Sequence, residues 1–236
     1  MKVEVLFPEV ANLYGDLMNV EYLRRSCGEI EIVNTSLRDE PLFMRERPVL
    51  IYMGSVTEEG MELAAEALRP CRERLRELID DGQLFLITGN ALELFGEGIT
   101  ADNGWSLECL GLFPTRARYT MMSRYNALYL GKYGDMDIVG FKSLFGHSYG
   151  EVEPLFETVR GDGLNEKEKG EGIRRSGFMA TCLTGPLLVL NPPFARELLR
   201  RMGVEEPHLA FEEQAMELYR QRVAQYSDPN TGIVYH

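Results

Sequence analysis

The chain has 236 residues and a formal net charge of −12, with 44% hydrophobic and 26% charged residues. This composition can bury a sizeable core, and its acidity disfavours binding to the phosphate backbones of nucleic acid. No apolar run approaches the roughly 20 residues that a membrane-spanning helix needs. Without a signal-peptide pattern at the N-terminus, we expect a cytoplasmic protein. The four cysteines are far apart and form no CxxC pair, so we expect reduced thiols, no metal site and no cofactor.

In the first third of the chain, apolar strands alternate with helices. Strands are predicted at residues 3–7, 29–34, 48–54 and 83–88, and helices at 17–26, 57–68 and 72–81. This alternation predicts an α/β fold with a mostly parallel sheet and helices on both faces. Ligands of such sheets bind at the carboxyl ends of the strands. The corners at residues 7–16, 53–57 and 88–90 each follow a strand, so we expect them to converge at one edge.

The pattern changes after residue 107. Short strands separated by turn residues are predicted at 117–121, 126–130 and 137–141, which indicates a mixed or antiparallel extension. Residues 161–172 are polar and glycine-rich and favour a mobile, solvated loop. Residues 176–190 favour an apolar strand, Pro192 opens a helix, and residues 206–225 form an amphipathic helix. No linker composition divides the chain, so we expect a single domain over residues 1–236.

The segment Phe85-Leu-Ile-Thr-Gly-Asn-Ala-Leu-Glu-Leu-Phe-Gly96 has the pattern of a catalytic corner. It contains an apolar strand, a tight Thr-Gly-Asn turn and the first turns of a helix. Several α/β enzyme families hold a nucleophile on such a strand-turn-helix corner. This turn contains neither cysteine nor serine. The sequence therefore predicts the frame of a catalytic corner without its reactive atom.

Four stretches, in this order, resemble the motifs of one family. They are Leu13-Tyr-Gly-Asp-Leu-Met-Asn19, Met53-Gly-Ser-Val-Thr57, Ile87 to Gly96, and Ala180-Thr-Cys-Leu-Thr-Gly-Pro-Leu187. The family has Tyr-Gly-Asp-x-x-Asn, a glycine-rich corner, Cys-Gly-Gly-Tyr-Gln-Leu-Leu-Gly, and Gly-Thr-Tyr-Leu-His-Gly-Pro-Leu at these places. It is the class I glutamine amidotransferases of the cobyric acid synthase type. Within it the chain is most similar to the glutaminase subunit of lipid II isoglutaminyl synthase.

The resemblance implies a flavodoxin-like sheet and a Mur-ligase-like partner that acts on cell-wall precursors. It also implies a cysteine nucleophile and a histidine, and both are replaced. Thr88 or Gly89 stands at the cysteine position, depending on where one extra residue is placed, and Thr184 stands at the histidine position. The oxyanion corner, Gly-Gly in the family, is Gly54-Ser55. Amide hydrolysis needs a nucleophile and a proton shuttle, so we expect no intrinsic glutaminase activity and a binding or regulatory subunit.

Several alternatives remain open at this stage. The chain could be an active amidotransferase that uses non-standard or partner-supplied groups, or the likeness could be one of fold alone. Cys182 could be a displaced nucleophile or a buried small residue, and His147 could be a base or a structural histidine. Candidate ligand-binding residues, for glutamine or another small amino acid, share the corner motifs. They are Tyr14, Asp16, Asn19, Gly54, Ser55 and Asn90.

Overall fold

The structure, a computed structural model, describes residues 1–235. The strands are β1 (Lys2–Leu6), β2 (Glu31–Thr35), β3 (Leu50–Met53), β4 (Phe85–Thr88), β5 (Gly98–Ala101), β6 (Ser106–Glu108), β7 (Arg116–Tyr119), β8 (Tyr125–Tyr133), β9 (Met136–Leu144), β10 (Gly146–Tyr149), β11 (Phe156–Arg160), β12 (Gly170–Glu171), β13 (Ile173–Arg175), β14 (Phe178–Thr181) and β15 (Val234–Tyr235). The α-helices are α1 (Met18–Ser26), α2 (Glu58–Leu68), α3 (Arg72–Asp80), α4 (Leu187–Leu190), α5 (Pro192–Arg201) and α6 (Glu212–Ser227). Short 3₁₀ segments are Leu42–Met44, Arg69–Cys71 and Gly89–Phe95.

A mostly parallel central sheet carries the fold. Within residues 1–235 it has six strands in the order β13-β14-β4-β3-β1-β2, and β13 alone pairs antiparallel, with β14. Alternate residues of a strand face opposite sides of a sheet. Accordingly Ile51 packs into the core beneath α2 and α3, while Leu50 and Tyr52 pack into the core beneath α1 and α5. The predicted parallel sheet with helices on both faces is therefore confirmed.

Two smaller sheets form the predicted mixed and antiparallel extension. In the described residues, one has the order β10-β7-β5-β6 with a parallel β5–β7 pair, and the other has the order β12-β11-β8-β15 with β9 paired to β8. The long β8–β9 hairpin packs under α6. Among the residues that the structure describes, no helix is both long enough and apolar enough to cross a bilayer. The single-domain organisation over residues 1–236 stays a prediction.

The helix starts follow the sequence signals closely in the first third of the chain. Thr57 caps α2, because its side-chain hydroxyl oxygen accepts the backbone N–H of Gly60 at 3.1 Å. A cap of this kind satisfies a helix donor that has no partner within the helix. Pro192 lies at the start of α5, as predicted.

Two segments differ from the sequence expectations. The strand predicted over 176–190 ends at Thr181, and residues Leu187–Leu190 are helical. Pro186 has no N–H to continue a strand ladder. The segment 161–172, predicted to be a solvated loop, contains buried residues. One of them is Asn165, whose side chain donates to Ser148 O at 3.0 Å.

Candidate functional site

The corners after β1, β3 and β4 meet at one edge of the central sheet, as the sequence predicts. The backbone N–H of Leu13 donates to Ser55 O at 3.1 Å. A Cβ built on Gly54 would lie 2.4 Å from the Cβ of Asp16, and a Cβ built on Gly89 would lie 1.9 Å from Ser55 Oγ. Real Cβ atoms do not come so close to other heavy atoms. The three corners are therefore packed against each other, and the packing requires glycine at positions 54 and 89.

The carboxylate of Asp16 lies at the centre of this junction, fully buried. Its Oδ1 accepts the hydroxyls of Ser55 at 3.0 Å and Thr88 at 3.1 Å, and the N–H of Gly185 at 3.2 Å. Its Oδ2 accepts the N–H of Tyr14 at 3.0 Å. A buried carboxylate is tolerated when hydrogen bonds replace its hydration. Four donors from three corners and the β14 loop do so here, so this carboxylate serves the fold.

Asn19 and Tyr52 form the second layer of the same cluster, and both side chains are buried. Asn19 Nδ2 donates to the Tyr52 hydroxyl at 2.9 Å, and Asn19 Oδ1 accepts the N–H of Leu188 at 2.8 Å. The Tyr52 hydroxyl donates to Asp16 O at 2.9 Å and lies 3.1 Å from Thr88 Oγ1. Burial raises the pKa of Tyr52 above its ordinary value. Asn19 thus joins α1 to α4 through bonds within the protein.

The turn after β4 has the backbone of a nucleophile elbow at Gly89. Gly89 has a φ of 66°, in the left-handed region, whereas Thr88 is extended with a φ of −120°. Thr88 directs its hydroxyl to the Asp16 cluster, as the last residue of β4. Such a strained strand-to-helix turn is where α/β enzymes present an attacking side chain. At this position the chain has no side chain, and Ser55 Oγ occupies the space that a Cβ would need.

Thr184 and Cys182 lie on the loop that follows β14. The Thr184 hydroxyl donates to Phe141 O at 3.1 Å, so its proton is already engaged. Cys182 is 2% exposed, and its backbone N–H donates to Glu171 Oε1 at 2.8 Å. Burial raises the pKa of its thiol, which disfavours the reactive thiolate. Cys182 also lies outside the set of residues that line the cleft described next.

A narrow cleft opens beside the junction. Its cavity has a volume of about 20 Å³, enough for about one water molecule. The residues that line it are Leu13, Tyr14, Val56, Glu58, Asn90, Glu93, Tyr119, Arg124, Ser143, Leu144, Phe145 and Thr184.

Of the candidate ligand-binding residues, Tyr14 and Asn90 reach this cleft, and the other four belong to the packed junction. The Tyr14 hydroxyl accepts from Arg124 Nη1 at 2.7 Å. The Asn90 amide is bonded to the backbone of Val56, with Oδ1 accepting its N–H at 3.0 Å and Nδ2 donating to its carbonyl at 2.8 Å. Asn90 therefore holds the corner after β3 against the turn after β4. Binding of a ligand by any of the six residues stays a prediction.

Sequence reasoning missed three charged residues of the cleft, Glu58, Glu93 and Arg124. Glu93 is 3% exposed, and its Oε2 accepts the hydroxyl of Tyr119. Burial, with a smaller contribution from Glu58, raises the pKa of Glu93 to about 8. The signal for Glu93 was available, since it is the one charged residue of the apolar run Ala91-Leu-Glu-Leu-Phe95. No pattern in the sequence indicated Arg124, which reaches the cleft from the turn before β8.

His147 has a structural environment of its own. It belongs to β10, its ring packs 5.1 Å from the ring of Tyr125, and its Nε2 lies 3.3 Å from Asp162 Oδ2. Burial lowers its pKa. His147 is not among the residues that line the cleft. This position gives it no contact with the elbow.

Curated proteins with similar sequences share one description. The chain is 25% identical over 205 residues to the glutamine-hydrolysing lipid II isoglutaminyl synthase subunit GatD of Staphylococcus aureus strain N315, covering 85% of this chain and 83% of that protein. It is 23% identical over 209 residues to the GatD subunit of Streptococcus pneumoniae strain ATCC BAA-255/R6, covering 80% and 78%. No protein-family model matches the chain.

Two solved structures have folds similar to that of this chain. A PurLQS structure from Thermotoga maritima aligns with a TM-score of 0.56 at 12% identity, covering 96% of this chain and 99% of that chain. A structure described as a glutamine amidotransferase aligns with a TM-score of 0.51 at 16% identity, covering 86% and 99%. At these identities the likeness is one of fold. It confirms the glutamine amidotransferase-like α/β fold that the motifs implied.

Proposed function

We propose that this chain, a class I glutamine amidotransferase similar to GatD, is a subunit that does not hydrolyse glutamine. In this proposal it binds or regulates a Mur-ligase-like partner in the amidation of cell-wall precursors, in the cytoplasm. The curated relatives are named as subunits, which supports a role within a complex. The observation that carries the proposal is the closed corner, where Ser55 Oγ fills the space beside Gly89.

Chemistry at the corner supports the absence of hydrolysis. Cleavage of a side-chain amide needs an attacking group and a base that moves its proton. The φ of Gly89 favours this residue over Thr88 as the counterpart of the family's cysteine. At the histidine position, Thr184 donates to a carbonyl and offers no basic nitrogen. Loss of one member of a cooperating pair costs a rate factor on the order of 10⁴ to 10⁶, so we expect loss of both to leave no useful activity.

Neither substitute weighed from the sequence fits the task. Cys182 is buried on the loop after β14, and burial raises the pKa of its thiol. His147 contacts Asp162 and Tyr125, away from the cleft lining. The chain therefore offers no alternative pair at the corner among residues 1–235, and hydrolysis would require groups from a partner.

The internal bonding of the corner residues supports a protein-binding role over glutamine binding. Asp16, Asn19 and Ser55 spend their polar groups on internal hydrogen bonds. We propose that the corner residues now act by holding a rigid surface, with Tyr14 and Asn90 at its rim.

A glutaminase assay tests the proposal. The purified chain, alone and mixed with its ligase-like partner, is incubated with glutamine, and glutamate release is measured against buffer, with a glutamine-hydrolysing relative as the positive control. We expect no release above buffer. Glutamate release that disappears in Cys182→Ser would overturn the proposal. Release that needs the partner and survives in Cys182→Ser would establish the alternative, an active subunit with partner-supplied groups.

A further inference from the structure

The polar segment 161–170 is fastened along strand β10. The backbone N–H of Ser148 donates to Leu164 O at 3.2 Å. On the next residue of the strand, the hydroxyl of Tyr149 donates to Glu166 Oε2 at 2.9 Å. Consecutive residues of β10 thus hold consecutive parts of the segment.

The contact at the start of the segment differs from these bonds. Within residues 1–235, the buried atoms His147 Nε2 and Tyr125 Oη have no hydrogen-bond partner. Nε2 lies 3.3 Å from Asp162 Oδ2, close enough for an ion pair but without the alignment of a hydrogen bond. Buried polar atoms are normally satisfied, so an exception needs an explanation. Because Nε2 faces a carboxylate, a proton on the imidazole changes this contact directly.

The charged and titratable side chains around His147 come from four elements. They are Arg118 of β7, which lies opposite His147 in the strand register, Tyr125 of β8, Lys142 of β9, and Asp162 and Glu166 of the segment. Lys142 is 1% exposed, and its ammonium group donates to the carbonyls of Asp162 at 3.0 Å and Gly163 at 2.6 Å. A charged imidazole would therefore add a second cation to a region that already contains a buried one.

We propose that His147 is a proton-operated latch, which holds the segment 161–170 closed when the imidazole is neutral and releases it when mild acid protonates the ring. The segment also forms one wall of a cavity of about 270 Å³, through Leu164, Glu168 and Gly170. Release of the segment should therefore open this cavity to solvent. The latch is separate from the corner after β4 and does not depend on the proposed function.

The direction of the pH response follows from the surroundings of the ring. Burial lowers the pKa of His147 from its ordinary value of 6.5; Asp162 opposes this shift and Lys142 adds to it. The imidazole therefore binds protons more weakly in the closed form than in a released, solvated form. Its contribution to closure is complete above the ordinary pKa and is lost as pH falls through the lowered one. Bonds from its own N–H and from Tyr149 lower the pKa of Glu166, so this carboxylate stays ionised at pH 5.

Hydrogen exchange of backbone amides in the full chain tests the latch. The amide of Leu164 reports closure, because it donates to Gly170 O at 2.6 Å. The amide of Phe7, which donates to Thr35 O at 2.7 Å beside the central sheet, is the reference. Protection factors are measured at pH 7.5 and pH 5.0, with rates corrected for intrinsic exchange at each pH. We expect the protection of Leu164 to fall roughly tenfold at pH 5.0 and that of Phe7 not to fall. Unchanged protection of Leu164 would refute the latch.

Variants assign the response to the imidazole. His147→Gln keeps a polar group near the position of Nε2 and does not titrate, so it should abolish the pH dependence at Leu164. Asp162→Asn removes the charge that favours the imidazolium in the closed form, and it should enlarge the acid response, which a merely structural contact would not do. His208→Gln is the matched control, since His208 lies outside this group of side chains, and it should follow the unaltered chain. An undiminished acid response in His147→Gln would overturn the proposal.

A titration of the unaltered chain gives a second, independent measurement. The imidazole resonance of His147, followed by nuclear magnetic resonance, should titrate with a midpoint below 6.5, and the loss of Leu164 protection should accompany it. A midpoint at or above 6.5 would also overturn the latch, because protonation would then favour closure.

Discussion

Two small residues, Gly89 and Ser55, decide what the corner can do. The turn holds residue 89 in the left-handed region, where any side chain strains the backbone. A Cβ built on residue 89 would also lie 1.9 Å from Ser55 Oγ. Ser55 in turn is fixed by its bond to Asp16. The two positions are therefore coupled, because a side chain at 89 fits only if position 55 gives up its own.

The coupling predicts a non-additive pair of substitutions. Gly89→Ala should cost about 2–5 kcal/mol of unfolding free energy, from left-handed strain of about 1–2 kcal/mol and overpacking of about 1–3 kcal/mol. Ser55→Gly should cost about 1 kcal/mol through the lost hydrogen bond. The double variant should be more stable than the sum implies, with a coupling on the order of 1–3 kcal/mol. Denaturant unfolding of all four proteins measures it.

Gly82→Ala is the matched control for the strain alone. Gly82 also has a positive φ, 79°, but a Cβ there meets no atom within 4 Å. It should lose only the strain energy and show no coupling to Ser55→Gly. If Gly89→Ala costs no more than Gly82→Ala, the corner is not closed by Ser55.

The backbone torsion of single residues explains what the motif comparison could not decide. The motif comparison left Thr88 and Gly89 as equal candidates because of one extra residue in the turn. Spacing along a chain does not report backbone torsion, and here the torsion of residue 89 distinguishes the two. Glu93 was overlooked for a related reason, since an acid in an apolar run is informative only once its burial is known.

At the scale of elements, a buried ion pair fastens the polar segment before β12 to the sheets. Lys142 in β9 is 1% exposed and its Nζ lies 3.6 Å from Glu171 Oε1. Lys142 also donates to the carbonyls of Asp162 at 3.0 Å and Gly163 at 2.6 Å. Glu171 accepts the hydroxyl of Thr181 at 2.7 Å. The pair thus joins β9, the 161–170 segment, β12 and β14.

Removal of the Lys142 ammonium group alone should destabilise the protein strongly. Lys142→Met should lower the unfolding free energy by about 3–5 kcal/mol, because it leaves Glu171 charged and unpaired inside the protein. Adding Glu171→Gln should recover part of the loss, since the amide removes the charge and its oxygen still accepts from β14. Lys132→Met is the control, because the Lys132–Asp137 pair is surface-exposed at 2.7 Å and should be worth about 1 kcal/mol or less. Equal losses for the two lysine variants would contradict the buried clamp.

Elements with strong local signals were predictable, and those fixed by tertiary contacts were not. The strands of the parallel sheet are short apolar runs, and α2 has a capping residue at Thr57, so each carries its own signal. Helix α4 has no such local signal, because its apolar residues also suit a strand. Its helical state comes with the bond from Leu188 N to Asn19 Oδ1, a contact between residues 169 positions apart in the chain. The buried face of the 161–170 segment depends likewise on Lys142, which lies in another element.

At the scale of the whole molecule, buried carboxyls tie folding to pH. Burial raises the pKa of Glu93 to about 8, from an ordinary value of 4.5, and raises that of Glu4 in the central sheet. An acid with a raised folded-state pKa binds more protons in the native chain than in the unfolded chain. Stability from such a group is complete below the unfolded pKa and is lost as pH rises through the folded pKa. For Glu93 this window runs from about pH 4.5 to about pH 8.

The exposed carboxyl groups act in the opposite direction at lower pH. Hydrogen bonds from Arg24 and Arg25 lower the pKa of Glu21 to about 2, and a bond from Arg196 lowers that of Glu212. Stability from these groups is present above the unfolded pKa and is lost as pH falls through the folded pKa. Their ion pairs lie at the surface, where solvent screens them. Between pH 5 and 8 the buried acids therefore dominate the change of unfolding free energy with pH.

Replacing Glu93 by glutamine should weaken the pH dependence of the unfolding free energy. The unfolding free energy of the unaltered chain should fall between pH 5 and pH 8, and the fall in Glu93→Gln should be smaller by roughly 3–4 kcal/mol. The amide cannot ionise, so the native state no longer holds an extra proton over this range. Denaturant unfolding at half-unit pH steps measures both curves, with Glu66→Gln as a surface control that should follow the unaltered chain. Parallel curves for the unaltered chain and Glu93→Gln would mean that the Glu93 carboxyl ionises in the native state as freely as in the unfolded one, and its burial beside Tyr119 would then have no effect on its titration.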